Sequence, residues 1–184
     1  MAQTNKKKNP IKLFHHIALE VSDMDKSIAF YRQLFGYKLS EHHAAGEVDA
    51  IQVELAFLRI QNNHHDMVLS HTPGKKYRRR NEQDDIEGTT LFHHLAWQCQ
   101  DRDAWLKMQA RVNDMGIEII RGPVVHSAYD PRGEGTWGEN ESFYVLDPDG
   151  HRLEIFCDMA TVDDDGTFVS YTGERIEQAV VDEL

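Results

Sequence analysis

The sequence is poor in the features that would place it at once. Its 184 residues hold two cysteines, Cys99 and Cys157, too few for a disulfide framework and in keeping with a reducing cytoplasm. No stretch approaches about 18 consecutive apolar residues, so no bilayer span is expected. Lys6-Lys7-Lys8 is not followed by an apolar run, so no signal peptide is read. Bases are outnumbered: 20 Lys and Arg against 31 Asp and Glu give a formal charge of −11. That balance speaks against nucleic acid as the main partner. What remains is ordinary: 40% hydrophobic and 28% charged residues, at a length that suits one substantial domain or two small modules sharing a core.

Histidine is the exception. There are 11, and eight stand in the doublets His15-His16, His42-His43, His64-His65 and His93-His94. The acidity is local, because Asp158 to Leu184 holds eight acids and one base, Arg175. This end reads as a solvated acidic extension (159–184), with a strand over Thr167 to Tyr171 and a short helix over Gly173 to Val181.

The body repeats itself weakly at an offset of 78 residues. Phe14-His15-His16-Ile17-Ala18-Leu19 matches Phe92-His93-His94-Leu95-Ala96-Trp97, and Asp23 aligns with Asp101. Each copy reads as a strand, a capped helix and further strands. In the first, Ser22 or Asp23 caps a helix carrying Ile28, Tyr31, Leu34 and Phe35, with Gly36 as its left-handed stop. In the second, Asp101 caps a helix whose Trp105, Met108, Val112 and Met115 form a core stripe ending at Gly116. Strands are expected over Tyr37 to Glu41, Ile51 to Gln61 and His65 to His71, then over Glu118 to Ile120, Ser142 to Asp147 and Arg152 to Cys157. The boundaries are a disordered arm (1–11), a first module (12–71), a linker (72–90) and a second module (91–158). Within the linker, Lys75 to Arg80 is basic and is followed by Glu82, Asp84, Asp85 and Glu87, a self-compensating surface loop. The glycine-containing stretch from Ser127 to Asn140 reads as a rim or lid, and with the acidic extension as pocket lining.

Strand alternation sorts the doublets. His15, Ile17, Leu19 and Val21 share a face suited to packing on the helix, and His93, Leu95, Trp97 and Cys99 do the same. His16 and His94 fall on the opposite faces and are the cavity candidates. On the last strand Glu154 points away from Leu153 and Ile155, and a carboxylate there needs a partner. Two imidazoles and one carboxylate make a facial triad, which leaves metal positions open for substrate and dioxygen.

The stretch Tyr144-Val145-Leu146-Asp147-Pro148-Asp149-Gly150-His151-Arg152-Leu153-Glu154 resembles the closing signature of type I extradiol ring-cleaving dioxygenases. These belong to the vicinal oxygen chelate superfamily, and the likeness runs from about Lys12 to Asp158. It implies an α+β fold of two paired βαβββ modules, with curved mixed sheets around a central metal site. It implies His16, His94 and Glu154 as ligands of Fe(II), a set that Mn(II) also accepts. His65, in Asn63-His64-His65-Asp66, resembles the catalytic acid/base histidine, and Tyr144 the tyrosine that holds the substrate. His126, in Gly122-Pro123-Val124-Val125-His126, resembles a further pocket histidine. Here, however, sixteen residues separate it from Phe143, against only a few in the family pattern. His15, His93 and His64 are left as outward-packing neighbours, and His42, His43, His71 and His151 without a role.

The activity implied is ring cleavage of a catechol beside its two hydroxyls, with both atoms of dioxygen inserted. The partners implied are a small aromatic diol and dioxygen, in a cytoplasmic homo-oligomer with no nucleic acid or membrane attached. Two rivals share the fold. A glyoxalase-like isomerase or lyase would take a fourth ligand from the last strand of the first module, where Leu69 or Ser70 stands. A non-catalytic small-molecule binder would have no need of the three ligands.

Overall fold

A computed structural model describes residues 12–47, 49–79, 92–127, 130–134, 138–164, 167–170 and 172–179. The expected N-terminal arm and residues 80–90 of the expected linker lie outside them. The chain divides into two compact units, between Lys76 and Tyr77, and each is built on the same plan.

In the first unit, strand β1 (Ile17–Glu20) leads into helix α1 (Met24–Phe35). The Asp23 carboxylate accepts the Lys26 N–H at 3.0 Å, so Asp23 rather than Ser22 is the cap. Gly36 ends the helix at φ 77°, a left-handed conformation that a side chain resists. Strands β2 (Lys38–His43), β3 (Glu54–Arg59) and β4 (Met67–His71) follow. The sheet order is β1-β4-β3-β2, with β1 parallel to β4 and the remaining pairs antiparallel. Leu19, Leu58, Met67 and Leu69 are buried together with Tyr31 and Leu34 of α1.

The second unit repeats this with β5 (Leu95–Gln98), α2 (Arg102–Asp114), β6 (Ile119–His126), β7 (Asn140–Leu146) and β8 (Arg152–Cys157). The order β5-β8-β7-β6 reproduces the first sheet, giving paired βαβββ modules with curved mixed sheets, as the sequence implied. Asp101 caps α2 by accepting the Ala104 N–H at 2.7 Å. Trp105 is 1% exposed, and its Nε1–H donates to the Ile155 carbonyl at 2.9 Å. Its ring lies 5.5 Å from that of Phe143. The predicted core stripe of α2 therefore holds at Trp105 and Val112. Met108 and Met115 are only half-buried.

Two expectations fail locally. Strand β6 runs on to His126, well beyond Ile120, because register shifts around Arg121 let a bulged strand stay paired with β7. The acidic extension forms a small antiparallel sheet of β9 (Thr161–Val162), β10 (Thr167–Val169) and β11 (Arg175–Ala179). Where a helix over Gly173 to Val181 was expected, a turn closes a hairpin instead. The Ser170 N–H donates to the Glu174 carbonyl at 2.9 Å, and the Ser170 Oγ accepts the Glu174 N–H at 3.2 Å. Pairing across that turn outweighs the weak helical pattern.

Gly122 sits in the bulged part of β6 at φ 95°, where an added Cβ would lie 2.8 Å from the Ser142 carbonyl oxygen and 3.0 Å from Phe143 Cα. Gly122→Ala should therefore destabilise the chain by about 2–4 kcal/mol, combining backbone strain and overpacking; a denaturant midpoint equal to wild type would refute this. Burial, reinforced by nearby acids, pushes the thiol of Cys157 up to about 12 and that of Cys99 up to about 11. The thiolate is the reactive form. Both thiols should consequently resist iodoacetamide at pH 8 in the folded chain and react only on unfolding, which mass spectrometry of alkylated peptides checks.

Candidate functional site

The candidate residues fall on both units, and each unit assembles its own share. In the second unit β8 and β7 place Glu154 directly across from Tyr144. The parallel pairing of β5 with β8 sets Ala96 beside Glu154, and His94 stands just before β5. The carboxylate is therefore met from both sides. Tyr144 Oη–H donates to Oε1 at 2.8 Å, and His94 Nε2 lies 3.0 Å from Oε2. Glu154 and Tyr144 are buried, and the His94 side chain is about one-third exposed.

His126 joins this group. The irregular segment after it is a hairpin connection, so His126 pairs with Asn140 across β6 and β7. Its Nε2 reaches Tyr144 Oη at 3.2 Å. The phenol has one hydrogen, already given to Glu154, so the imidazole is the donor in that contact. The long separation from Phe143 thus leaves His126 beside the tyrosine.

Burial alone would raise the Glu154 pKa, but hydrogen bonds from His94 and Tyr144 outweigh it and hold the carboxyl below its ordinary value. Burial pushes the Tyr144 phenol up, and the Glu154 carboxylate reinforces that. Two guanidinium groups that the sequence did not single out lie against the Tyr144 ring, Arg152 at 4.5 Å and Arg121 at 5.9 Å from its centroid. Only the alternation that puts Arg152 on the Glu154 face could have signalled this.

The D-P-x-G turn explains how the two strands keep their register. Asp147 is 1% exposed and accepts the N–H groups of Asp149 and His151 at 2.9 and 2.8 Å. His151 Nδ1 lies 2.8 Å from the same carboxylate. His151 is thus part of the turn that aligns Tyr144 with Glu154. His71 is structural too, since its Nδ1–H donates to the Val21 carbonyl at 3.0 Å. His42 lies 2.7 Å from Glu54, and His43 pairs with Glu41 and Glu47.

In the first unit the strand-parity argument breaks down at the doublets. Strand β1 begins only at Ile17, so alternation does not govern His15 and His16. Their Nδ1 atoms lie 3.1 Å apart, and both rings approach His65, at 5.3 and 4.6 Å between centroids. His15 is therefore not an outward-packing neighbour. His93 and His64 are exposed; the Nδ1 of His93 contacts that of His94 just before β5, and the Nδ1 of His64 lies 2.8 Å from that of His65. Burial, then the neighbouring imidazoles of His16, His64 and His15, push His65 below the usual histidine range, which favours the neutral ring.

The segments around Ser127 to Asn140 and the acidic extension do line a common cavity of about 500 Å³. Its walls include Arg102, Arg132, Glu141 and Arg175 but none of the candidate site residues. The buried Glu141 is held there by Arg102, whose Nε–H donates at 2.7 Å, and by Arg132 at 3.4 Å.

Residues 13–155 match the sequence profile of the glyoxalase/bleomycin resistance protein/dioxygenase superfamily. The chain belongs to that superfamily. Among its relatives is a metallothiol transferase, FosB, of Bacillus licheniformis, 26% identical over 153 residues, which cover 80% of this chain and 76% of FosB. A 3-methylcatechol 2,3-dioxygenase of Pseudomonas putida is 24% identical over 139 residues, 76% of this chain but 40% of the dioxygenase. Among solved structures, the fosfomycin resistance protein FosX of Listeria monocytogenes, complexed with Mn(II) and sulfate, aligns with a TM-score of 0.51 at 19% identity. The alignment covers 80% of this chain and 93% of FosX. Superfamily membership and the shared fold are what these likenesses establish.

An imidazole nitrogen and a buried carboxylate, poised 3.0 Å apart, suit a divalent ion that accepts mixed nitrogen and oxygen donors. Replacing Tyr144 by Phe keeps the ring and removes one donor to Glu154. The metal-free variant should lose about 1–3 kcal/mol at pH 7. A carboxyl with a depressed folded pKa contributes stability above its unfolded pKa and loses it as pH falls through the folded value. Tyr144→Phe, with a less depressed carboxyl, should lose less on acidification, so its deficit against wild type should shrink from pH 7 to pH 4; a deficit that stays constant over that range would contradict it.

Proposed function

We propose that the protein is an Fe(II)-dependent extradiol dioxygenase, inserting both atoms of dioxygen into a catechol and opening the ring beside the hydroxyls. The observation that carries this reading is the Tyr144–Glu154–His94 chain with His126 behind it. It combines two metal-ligand types with a buried phenol able to hold a substrate oxygen. By the family pattern, His16 is the third ligand. When bound, the ion acidifies the catechol and brings dioxygen beside it, with Mn(II) an alternative to Fe(II).

The chain's own residues then divide the remaining tasks. His65, held below the usual histidine range, would be the base that accepts the proton a bound catechol gives up. Tyr144 orients the substrate oxygen, and the His126 N–H fixes the phenol so that it does not rotate away. The likeness to a catechol dioxygenase supports the reading.

Strand register counts against the glyoxalase-like rival. The pairing Ala18–Val68 in the first unit corresponds to Ala96–Glu154 in the second, and Phe57–Val68 to Tyr144–Glu154. The position that could supply a fourth ligand is therefore Val68, not Leu69 or Ser70 as read from the sequence, and valine cannot ligate.

A second reading is favoured by a different observation. FosB, a metallothiol transferase, matches over most of its own length, which supports a metal-dependent thiol transfer without dioxygen.

One experiment separates the two readings. The metal-free chain is loaded anaerobically with Fe(II) and offered a panel of mono-, bi- and polycyclic catechols. Stoichiometric oxygen uptake with a yellow ring-opened product is expected, and Glu154→Ala should lose both the bound iron and the turnover. No uptake at one bound iron per chain, with thiol conjugation of fosfomycin under Mn(II) instead, would replace this proposal by the transferase.

A further inference from the structure

In the first unit, His15, His16 and His65 place a ligand nitrogen each within 4.8 Å of one another. They are the one such group of three metal-binding side chains among the described residues. Three aromatic contacts tie them together: His15 to His16 at 5.3 Å, His15 to His65 at 5.3 Å and His16 to His65 at 4.6 Å. The cluster is backed on one side. Phe57 of β3 lies 5.1 Å from the His65 ring, and His64 lies against the same ring, with its own Nε2 3.5 Å from Glu41. The His64 contact uses Nδ1 of His65 and leaves Nε2 for another partner. His15 and His16 are exposed and His65 half-buried, so the cluster is open to ions from solvent.

We infer that this cluster is a transition-metal site in its own right, taking Cu(II) or Zn(II) through three imidazoles and leaving further positions to water. A tetrahedral ion about 2.0–2.1 Å from each nitrogen holds the nitrogens about 3.4 Å apart, so modest rotation of two exposed rings completes the site. The donor set is neutral and all nitrogen, with no carboxylate. That favours ions late in the first-row series, Cu(II) above Zn(II), over Fe(II) or Mn(II). It also differs in composition from the proposed His16, His94 and Glu154 set, because it requires His15 and His65 and neither His94 nor Glu154. Under the proposed function, an ion bound here occupies His16 and His65 together, so Cu(II) or Zn(II) would inhibit by removing a ligand and a base at once. The site itself does not depend on that function.

The test uses the full metal-free chain and three proteins: wild type, His15→Ala and Glu154→Ala. Each is titrated with Zn(II) against a chromophoric chelator and with Cu(II) followed by electron paramagnetic resonance. Wild type should bind one Cu(II) with hyperfine structure from imidazole nitrogens. Glu154→Ala should bind Cu(II) and Zn(II) as wild type does, whether or not it retains iron. His15→Ala should weaken both ions by at least the roughly 10–100-fold that loss of even an outer partner costs a metal site, while keeping one bound Fe(II). His15→Gln repeats the loss with a side chain of similar length, and an unchanged circular dichroism melt shows that each variant folds. Unchanged Cu(II) affinity in both His15 variants overturns the proposal, as does loss of the imidazole signal in Glu154→Ala. Failure of the catechol assay with these titrations intact would overturn the dioxygenase alone.

Discussion

The second unit is organised around a carboxylate in an expensive place. Glu154 lies in the middle of a strand whose neighbours Leu153 and Ile155 are buried, and an ionised group there survives only if donors surround it. Strand register supplies them, since Tyr144 stands directly opposite and His94 arrives along the parallel neighbour. A slip of one residue between β7 and β8 would turn Tyr144 to the helix face and strand the charge. The Asp147 turn therefore matters for chemistry as well as topology, because its hydrogen bonds set that register.

The histidine excess resolves into different physical uses. Some rings are fasteners: His71 binds a carbonyl beside the end of β1, and His151 closes the turn before β8. Others pair with surface carboxylates, as His42 and His43 do. The remaining doublets sit where the backbone is not yet a strand, so neighbouring rings face one another instead of diverging.

The fold was largely legible in the sequence because its signals are local and repeated. Asp23 and Asp101 cap, the helical stripes are periodic, and the 78-residue offset exposes the duplicated plan. The Tyr144–Glu154 pairing was legible as well, through a ten-residue spacing that a tight turn converts into opposite positions. What the sequence hid depends on where regular structure starts and stops. Parity misassigned His15 because β1 begins after its doublet. The bulges that carry His126 along β6 leave no periodic trace, and neither does the hairpin that replaced the expected C-terminal helix. The arginines against Tyr144 were hidden for a related reason, since cross-strand neighbours are distant in sequence.

The duplicated plan has a consequence for how such a chain can change. Phe57 and Val68 occupy in one copy the places that Tyr144 and Glu154 hold in the other. At those two positions the copies differ by a hydroxyl and a carboxylate. An acidic residue at position 68 would give both halves a carboxylate at the same strand address.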